Sequence, residues 1–230
     1  MNYGFVPLEP NVSELKLAEE DENDRYFIQL YHYVATAVDL KGKQVLEVGS
    51  GRGGGAAYVA RYLKPDRMTG IDFSDNNIQL SRKNYQLPNL FFQQGNAEFL
   101  PFDDEVFDMV LNVESSHCYG SMEDFVKEVN RVLKPGGIFS WADFRSVDEV
   151  VALQQIFEHS GLKQIKVNEI TPNVLRALEL MDESRQNFIQ TNSPPFLKGA
   201  LQEFAAVKDS KVYESFQTSE ILYLSYVFEK

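Results

Sequence analysis

Three observations predict a doubly wound α/β domain, a mostly parallel sheet with helices on both faces. An apolar run, Val45-Leu46-Glu47-Val48, ends in a glycine-rich turn that opens a helix-like segment. A second apolar run, Met68-Thr69-Gly70-Ile71, ends on Asp72, 23 residues after Gly49. Strand-like and helix-like segments then alternate, and alternation of this kind builds a parallel sheet covered on both sides. A strand that runs into glycines lets the backbone approach a nucleotide without a Cβ in the way. A carboxylate at the end of the neighbouring strand suits ribose hydroxyls.

The elements follow in order. Residues 23–38 place Phe27, Leu30, Tyr31, Val34 and Val38 on one helical face. Strands are expected near 44–48, 67–72, 89–93, 106–112 and 138–143, and helices near 54–64, 75–86, 122–133 and 148–160. Ser74 and Ser121 stand where N-caps belong, and Gly161 where a C′ glycine ends a helix. After Gly161 the pattern changes. Leu162–Ile170 alternates as a strand does, 172–210 reads as helical pieces broken by Pro194-Pro195, and Ser219–Phe228 reads as a final strand. The whole chain, 1–230, is expected to form one domain. Residues 1–40 are expected as a helical lid and 172–210 as a helical cap inserted before the last strand, because so long a connection is seldom a plain loop.

Composition narrows the partners. With 22 basic and 34 acidic residues the formal net charge is −12. That sign repels phosphate backbones and anionic membrane surfaces, so nucleic acid is a poor partner. The acidic block Glu19-Glu20-Asp21-Glu22 reads as a solvated approach to a helix N-terminus. The single cysteine, Cys118, forbids an intrachain disulfide. No basic-then-apolar leader opens the sequence, and no stretch of about 18 apolar residues occurs. The expectation is a soluble, cytoplasmic protein without an integral membrane segment; the oligomeric state stays open.

Gly49, Gly51 and Gly54 satisfy G-x-G-x-x-G, a pattern that dinucleotide enzymes share. The downstream segments decide between the two. Glu47 before Gly49, then Gly95-Asn96-Ala97-Glu98-Phe99-Leu100-Pro101-Phe102, Phe107-Asp108-Met109-Val110-Leu111 and Val132-Leu133-Lys134-Pro135-Gly136-Gly137 form an ordered set. Over about residues 40–170 this set resembles the class I S-adenosylmethionine-dependent methyltransferases. The resemblance implies a Rossmann-like sheet of seven strands with the last one antiparallel, and S-adenosylmethionine as cofactor.

It also implies roles. Gly49 and Gly51 would pass close to the cofactor's methionine and ribose, and Glu47 would lie near its amino-acid end. Asp72 would accept from the ribose hydroxyls, and Phe73 would pack on the adenine. Asn96 stands where the family usually has aspartate; its carbonyl accepts as well, with less charge. The Ala97 amide would meet the adenine ring, and Asn112 would complete the cofactor set.

Just past the fourth strand the chain reads Asn112-Val113-Glu114-Ser115-Ser116-His117-Cys118-Tyr119. A methyl acceptor that is a hydroxyl must lose a proton, and His117 suits that task near neutrality. Asp143 ends the fifth strand and would orient His117; a helix cap or a partner for Arg145 are its other readings. Glu114 would contact the acceptor or the cofactor's amine. His32 and His159 fall on expected helices, and three dispersed histidines with one cysteine do not make a metal site. The Glu114–Tyr119 run, Asn2-Tyr3-Gly4 and Trp141-Ala142-Asp143-Phe144-Arg145 together resemble a narrower group, the small-molecule and lipid O-methyltransferases of the phthiotriol/phenolphthiotriol dimycocerosate type. That resemblance implies a small, fairly apolar hydroxylated acceptor, lipid- or polyketide-like. Carbon or nitrogen methylation of a sterol, quinone or amine is the alternative within the class. A cofactor-binding protein without turnover is the alternative outside it. Nucleic-acid methylation is disfavoured by the charge and by the lack of an Asn/Asp-Pro-Pro-Tyr motif.

Overall fold

A computed structural model describes residues 2–10 and 12–230. Met1 and Asn11, both inside the segment expected as a lid, lie outside the described residues. One seven-stranded sheet organises the chain in the order β3-β2-β1-β4-β5-β7-β6. The strands are β1 (Gln44–Val48), β2 (Arg67–Asp72), β3 (Leu90–Gln94), β4 (Phe107–Val113), β5 (Leu133–Ser146), β6 (Lys163–Glu169) and β7 (Ile221–Glu229). Strands β1 to β5 pair in parallel, and β7 enters antiparallel between β5 and β6.

The helices are α1 (Arg25–Ala35), α2 (Gly54–Tyr58), α3 (Asp75–Asn84), α4 (Met122–Val132), α5 (Val147–Glu158), α6 (Thr171–Asn192), α7 (Lys198–Phe204) and α8 (Lys211–Gln217). Ser74 and Ser121 cap α3 and α4 by accepting from the backbone N–H three residues on, at 3.4 and 3.1 Å. Gly161 takes φ +76°, the left-handed turn that a residue with a Cβ adopts at a cost. The acidic block forms a 3₁₀ turn, Glu19–Asp24, that leads into α1; Glu22 pairs with Arg25, and Glu20 and Asp21 with Arg61.

Because strand side chains alternate, consecutive residues feed opposite cores. Val45 of β1 joins the cluster beneath α1 and α2, while Leu46 and Val48 join the cluster beneath α4 and α5. In β5, Ile138 and Ala142 point one way and Phe139 and Trp141 the other. Both faces are therefore sealed, which explains the unbroken apolar runs of the central strands.

Three elements differ from the expected spans. The helix after the glycine turn continues past Tyr58 as a π-type turn, Val59–Leu63. β5 is longer, because Leu133 already pairs with Phe107 before the Pro135-Gly136-Gly137 irregularity. The connection between β6 and β7 extends helically to Gln217, with α8 capped by Ser210 accepting from Tyr213 N–H at 3.2 Å. No helix among the described residues is long and apolar enough to cross a membrane.

Candidate active site

The carboxyl ends of β1, β2 and β4 converge on a cavity of about 640 Å³. Glycine conformation shapes its floor. Gly49 and Gly51 sit at φ +76° and +53°. The amides of Gly49 and Ser50 both donate to Ile71 O, at 2.9 and 2.8 Å, and bind the loop to β2. A Cβ on Gly49 would collide with Ser115 and Tyr119, whereas a Cβ on Gly51 would meet nothing within 4 Å. Gly51 therefore borders open space, a cradle with room for a ligand.

Asp72 anchors the loop. Its Oδ2 accepts from Gly51 N–H at 2.8 Å, and its Oδ1 accepts from Ser74 N–H at 2.9 Å and from Asn77 Nδ2 at 3.0 Å. Asp72, Phe73, Asn96 and Ala97 line the cavity together with Gly49 and Gly51. Phe73 is 76% exposed, an aromatic face left bare at the cavity wall. Asn96 Oδ1 accepts from Glu98 N–H at 3.0 Å, and Glu98 in turn accepts from Gly120 N–H at 2.7 Å, which ties this loop to the segment after β4.

Glu47 and Asn112 lie one layer behind the cavity wall. Glu47 is fully buried, and its Oε1 accepts from Tyr31 OH at 2.7 Å. Burial pushes its carboxyl up to about 7, against the lowering effect of the Tyr31 bond. Asn112 Nδ2 donates to Val48 O, Ser115 Oγ and Tyr119 OH at 2.9–3.0 Å and so fixes the wall. Glu47 Oε2, Ser50 Oγ and Asn112 Oδ1 are buried without a partner among the described residues. Of these, Ser50 lines the cavity beside Gly51, and an orphaned hydroxyl there suits a polar ligand, because native interiors rarely leave such groups unsatisfied.

His117 and Asp143 are brought together at the ends of β4 and β5. His117 Nδ1 lies 2.8 Å from Asp143 Oδ1. Asp143 is buried, accepts from Ser116 Oγ at 2.7 Å and from the His117 and Phe144 amides, and faces Arg145 at 3.2 Å. Both partners anticipated for Asp143, the imidazole and the guanidinium, are thus present. Burial works against the charged form of Asp143, but His117, Arg145 and Ser116 outweigh it and hold the carboxyl below its usual range. Burial likewise opposes the charged imidazole, yet the bond to Asp143 and its charge raise His117 above the ordinary value. The imidazole packs on Phe144, ring centroids 4.4 Å apart.

Next to this dyad sits Glu114, in the left-handed region at φ +48°, a strained conformation for a residue with a side chain. Its Oε2 accepts from Tyr3 N–H at 2.9 Å and from Tyr223 OH at 2.8 Å. Burial pushes this carboxyl up to about 7 as well. Tyr3 packs against Phe144 and Phe216, which sets the N-terminal segment against the ring that the His117 imidazole also packs on. Cys118 is exposed at the cavity edge. His32 bonds Tyr58 OH and His159 bonds Gln155 O, both on helical faces. Among the described residues no cluster of potential ligands suits a metal ion.

Sequence reasoning did not single out Tyr31, Ser115, Tyr119, Tyr223 or Arg185. Tyr31 sits at a core-facing helical position, where it reads as packing. Tyr223 and Arg185 reach the site only through contacts that span more than a hundred residues or that lie on the inserted helices.

The fold and this site define an S-adenosylmethionine-dependent methyltransferase. A methyltransferase-domain family model matches residues 46–141. The chain is 43% identical over 217 residues to the phthiotriol/phenolphthiotriol dimycocerosates methyltransferase of Mycobacterium tuberculosis, covering 94% of this chain and 80% of that protein. It is 36% identical over 230 residues to the fatty-acid O-methyltransferase of Mycolicibacterium smegmatis, covering all of this chain and 82% of that protein. Among solved structures, a putative sarcosine dimethylglycine methyltransferase from Galdieria sulphuraria superposes with a TM-score of 0.78 at 12% identity, over 100% and 92% of the two chains. Geranyl diphosphate C-methyltransferase from Streptomyces coelicolor, in complex with S-adenosyl-L-homocysteine, superposes with a TM-score of 0.70 at 17% identity, over 100% and 92%. The chain belongs to the phthiotriol/phenolphthiotriol dimycocerosates methyltransferase family.

Proposed function

We propose that this protein methylates a hydroxyl of a small, fairly apolar, lipid- or polyketide-like acceptor, with His117 as the base. The observation that carries the reading is the His117–Asp143 pair, with Nδ1 held by a buried carboxylate at 2.8 Å; His117 itself does not line the cofactor cavity, but its chain neighbours Ser115 and Cys118 do. Bound S-adenosylmethionine supplies an electrophilic methyl group on a sulfonium. The chain has to seat the acceptor oxygen opposite that methyl and take its proton. Asp143 accepts from Nδ1–H, which leaves Nε2 as the proton acceptor and stabilises the imidazolium once it forms.

The cofactor contacts in this reading are Asp72 for the ribose, Phe73, Asn96 and Ala97 for the adenine, and Gly49 and Gly51 for the backbone approach. Glu47 and Asn112 support the methionine end from behind the wall. Asp72 Oδ2 takes one protein hydrogen bond and keeps lone-pair capacity for a ribose hydroxyl. Residues up to 40 act as a lid: Tyr3 closes on Glu114, and Phe5 stacks on Tyr33 at 4.5 Å. The 172–210 helices act as a cap over the acceptor.

The test is methyl transfer from labelled S-adenosylmethionine to a panel holding a long-chain alcohol, an alkylphenol, a fatty acid, a sterol and an amine. A methyl ether is expected from the alcohol or phenol, and His117→Ala should cut its rate at least a hundredfold while S-adenosylhomocysteine binding is unchanged. Turnover confined to the sterol or amine, or an unaffected His117→Ala, overturns the reading. A carboxylate acceptor is the second reading, favoured by the similarity, over all of this chain and 82% of that protein, to a protein named for fatty-acid O-methylation. A carboxylate is already deprotonated at neutral pH, so its methylation should depend far less on His117.

A further inference from the structure

Both oxygens of Asp143 are held by donors. Oδ2 accepts from Ser116 Oγ at 2.7 Å and from His117 N–H at 3.0 Å, and Arg145 Nη1 stands 3.2 Å from it. Oδ1 accepts from Phe144 N–H at 2.9 Å and faces His117 Nδ1 at 2.8 Å. Ser116 joins this carboxylate to the residues behind it. Its Oγ accepts from Trp141 Nε1 at 2.9 Å and from Arg145 Nη2 at 2.8 Å. Indole and guanidinium nitrogens can only donate, and a hydroxyl has one proton and two lone pairs. Both lone pairs of Ser116 are therefore taken, and its one proton goes to Asp143. Surrounded by donors, Asp143 acts as a carboxylate, so the hydrogen between Oδ1 and Nδ1 belongs to the imidazole. Nε2 then keeps its lone pair.

Arg145 is the cation of this cluster, and it is built in. The residue is 8% exposed, its Nη1 donates to Phe144 O at 2.6 Å, and its guanidinium carbon lies 5.3 Å from the Trp141 ring centroid. A carboxylate shared with a guanidinium holds an imidazolium less firmly than one that serves the imidazole alone. Of the charges that act on His117, Asp143 and Glu114 favour the protonated ring and Arg145 opposes it. Cys118 stands beside Asp143 and Arg145 on the same loop as His117. Tyr3 from the N-terminal segment and Tyr223 from β7 reach the cluster through Glu114, and Arg185 of α6 lies beyond Glu114.

We propose that Arg145 is a positioning residue for the dyad: with Ser116 it occupies Asp143 Oδ2, so that Oδ1 is presented to His117, and its charge limits how tightly Asp143 holds a protonated imidazole. The consequence for catalysis rests on the reading of His117 as the base.

Nitrogen NMR of the protein carrying ¹⁵N-labelled imidazoles tests it, because the spectrum reports both the tautomer and the titration of His117. His117→Ala identifies the signals. Above its titration, wild type should show a protonated Nδ1 and a bare Nε2. Arg145→Met should move the His117 midpoint up, whereas Arg145→Lys, which restores the charge, should leave it near wild type. Arg145→Gln is neutral but still a donor; it should also move the midpoint up, and it decides should Arg145→Met fail to fold. A bare Nδ1 in wild type overturns the bond directions. A midpoint that stays or falls in the neutral variants overturns the role of Arg145, since a merely structural residue would loosen the dyad and let the imidazole drift towards its ordinary value. The pH profile of methyl transfer checks the reading beneath it. If the imidazole midpoint rises in Arg145→Gln and the rate profile does not follow, the base reading of His117 falls while the hold of Arg145 on the imidazole stands.

Discussion

Gly49 and Gly51 sit two residues apart and answer to different constraints. Gly49 is a packing glycine: a side chain there meets Ser115 and Tyr119, at a φ of +76°. Gly49→Ala should therefore destabilise the fold by about 1–3 kcal/mol, read as a lower urea midpoint. Gly51 is a ligand glycine with open space beside it. Gly51→Ala should cost only the roughly 1–2 kcal/mol of its positive φ in stability, yet weaken S-adenosylhomocysteine binding about tenfold or more in calorimetry. Equal effects of the two substitutions on both measurements would remove the distinction. At the dyad, proton removal needs neutral His117, and Asp143 raises its pKa. The rate should accordingly rise with pH through the imidazole titration. Asp143→Asn removes the charge that holds the proton, so the midpoint of that rise should move down while the maximal rate falls by about a hundredfold or more. An unmoved midpoint would show that another group titrates in the profile.

The N-terminal strap is tied at three residues: Tyr3 N–H to Glu114, Phe5 N–H to Tyr26 O at 3.0 Å, and Val6 to Asn173 through both its amide and its carbonyl. The Phe5 ring stacks on Tyr33 with centroids 4.5 Å apart. Phe5→Ala should cost about 3 kcal/mol locally and speed amide exchange at Tyr3, Gly4 and Phe5 while the β1 and β4 amides stay protected. Uniform acceleration would mean that the strap unfolds with the whole domain rather than as a separate unit. At this scale the sequence is legible where periodicity speaks. Val45 and Leu46 feed opposite cores, Ser74 and Ser121 cap helices, and the glycine turn and Asp72 meet as their spacing requires. It is less legible where long-range contact decides. Glu114 is expected at the acceptor or the cofactor's amine, but its bonds to Tyr3 and Tyr223 span more than a hundred residues, and Tyr223 and Arg185 alone read as ordinary core and helix residues. Asp143 was readable as a partner of either His117 or Arg145, and only packing shows that it serves both. The π-type turn at Val59–Leu63 has no periodic signature, because the same residues continue an α-helical pattern as well.

Across the molecule, the feature with the widest consequence is a buried carboxylate behind the wall of the cofactor cavity. Glu47 is completely buried, and burial outweighs the Tyr31 hydrogen bond, so folding lifts its pKa from 4.5 to about 7. Between those two values the folded chain holds a proton that the unfolded chain has released. Stability must then fall as pH rises through that window, the opposite of the usual salt-bridged carboxylate. Above pH 7 the ionised Glu47 should cost the fold about 3 kcal/mol, taking about 1.4 kcal/mol for each unit of pKa change. Glu47→Gln keeps an acceptor for Tyr31 and cannot ionise. It should have nearly wild-type stability at pH 5 and exceed wild type by about 1–3 kcal/mol at pH 8, measured by urea unfolding at both values. A cationic ligand group beside Glu47 would reverse that cost. Saturation with S-adenosylmethionine should therefore stabilise wild type more at pH 8 than at pH 5, while Glu47→Gln should show no such difference. A wild-type stability that instead climbs from pH 5 to pH 8 would mean that Glu47 is ionised in the fold throughout, and that Tyr31 and the surrounding backbone hold its charge without help from a ligand.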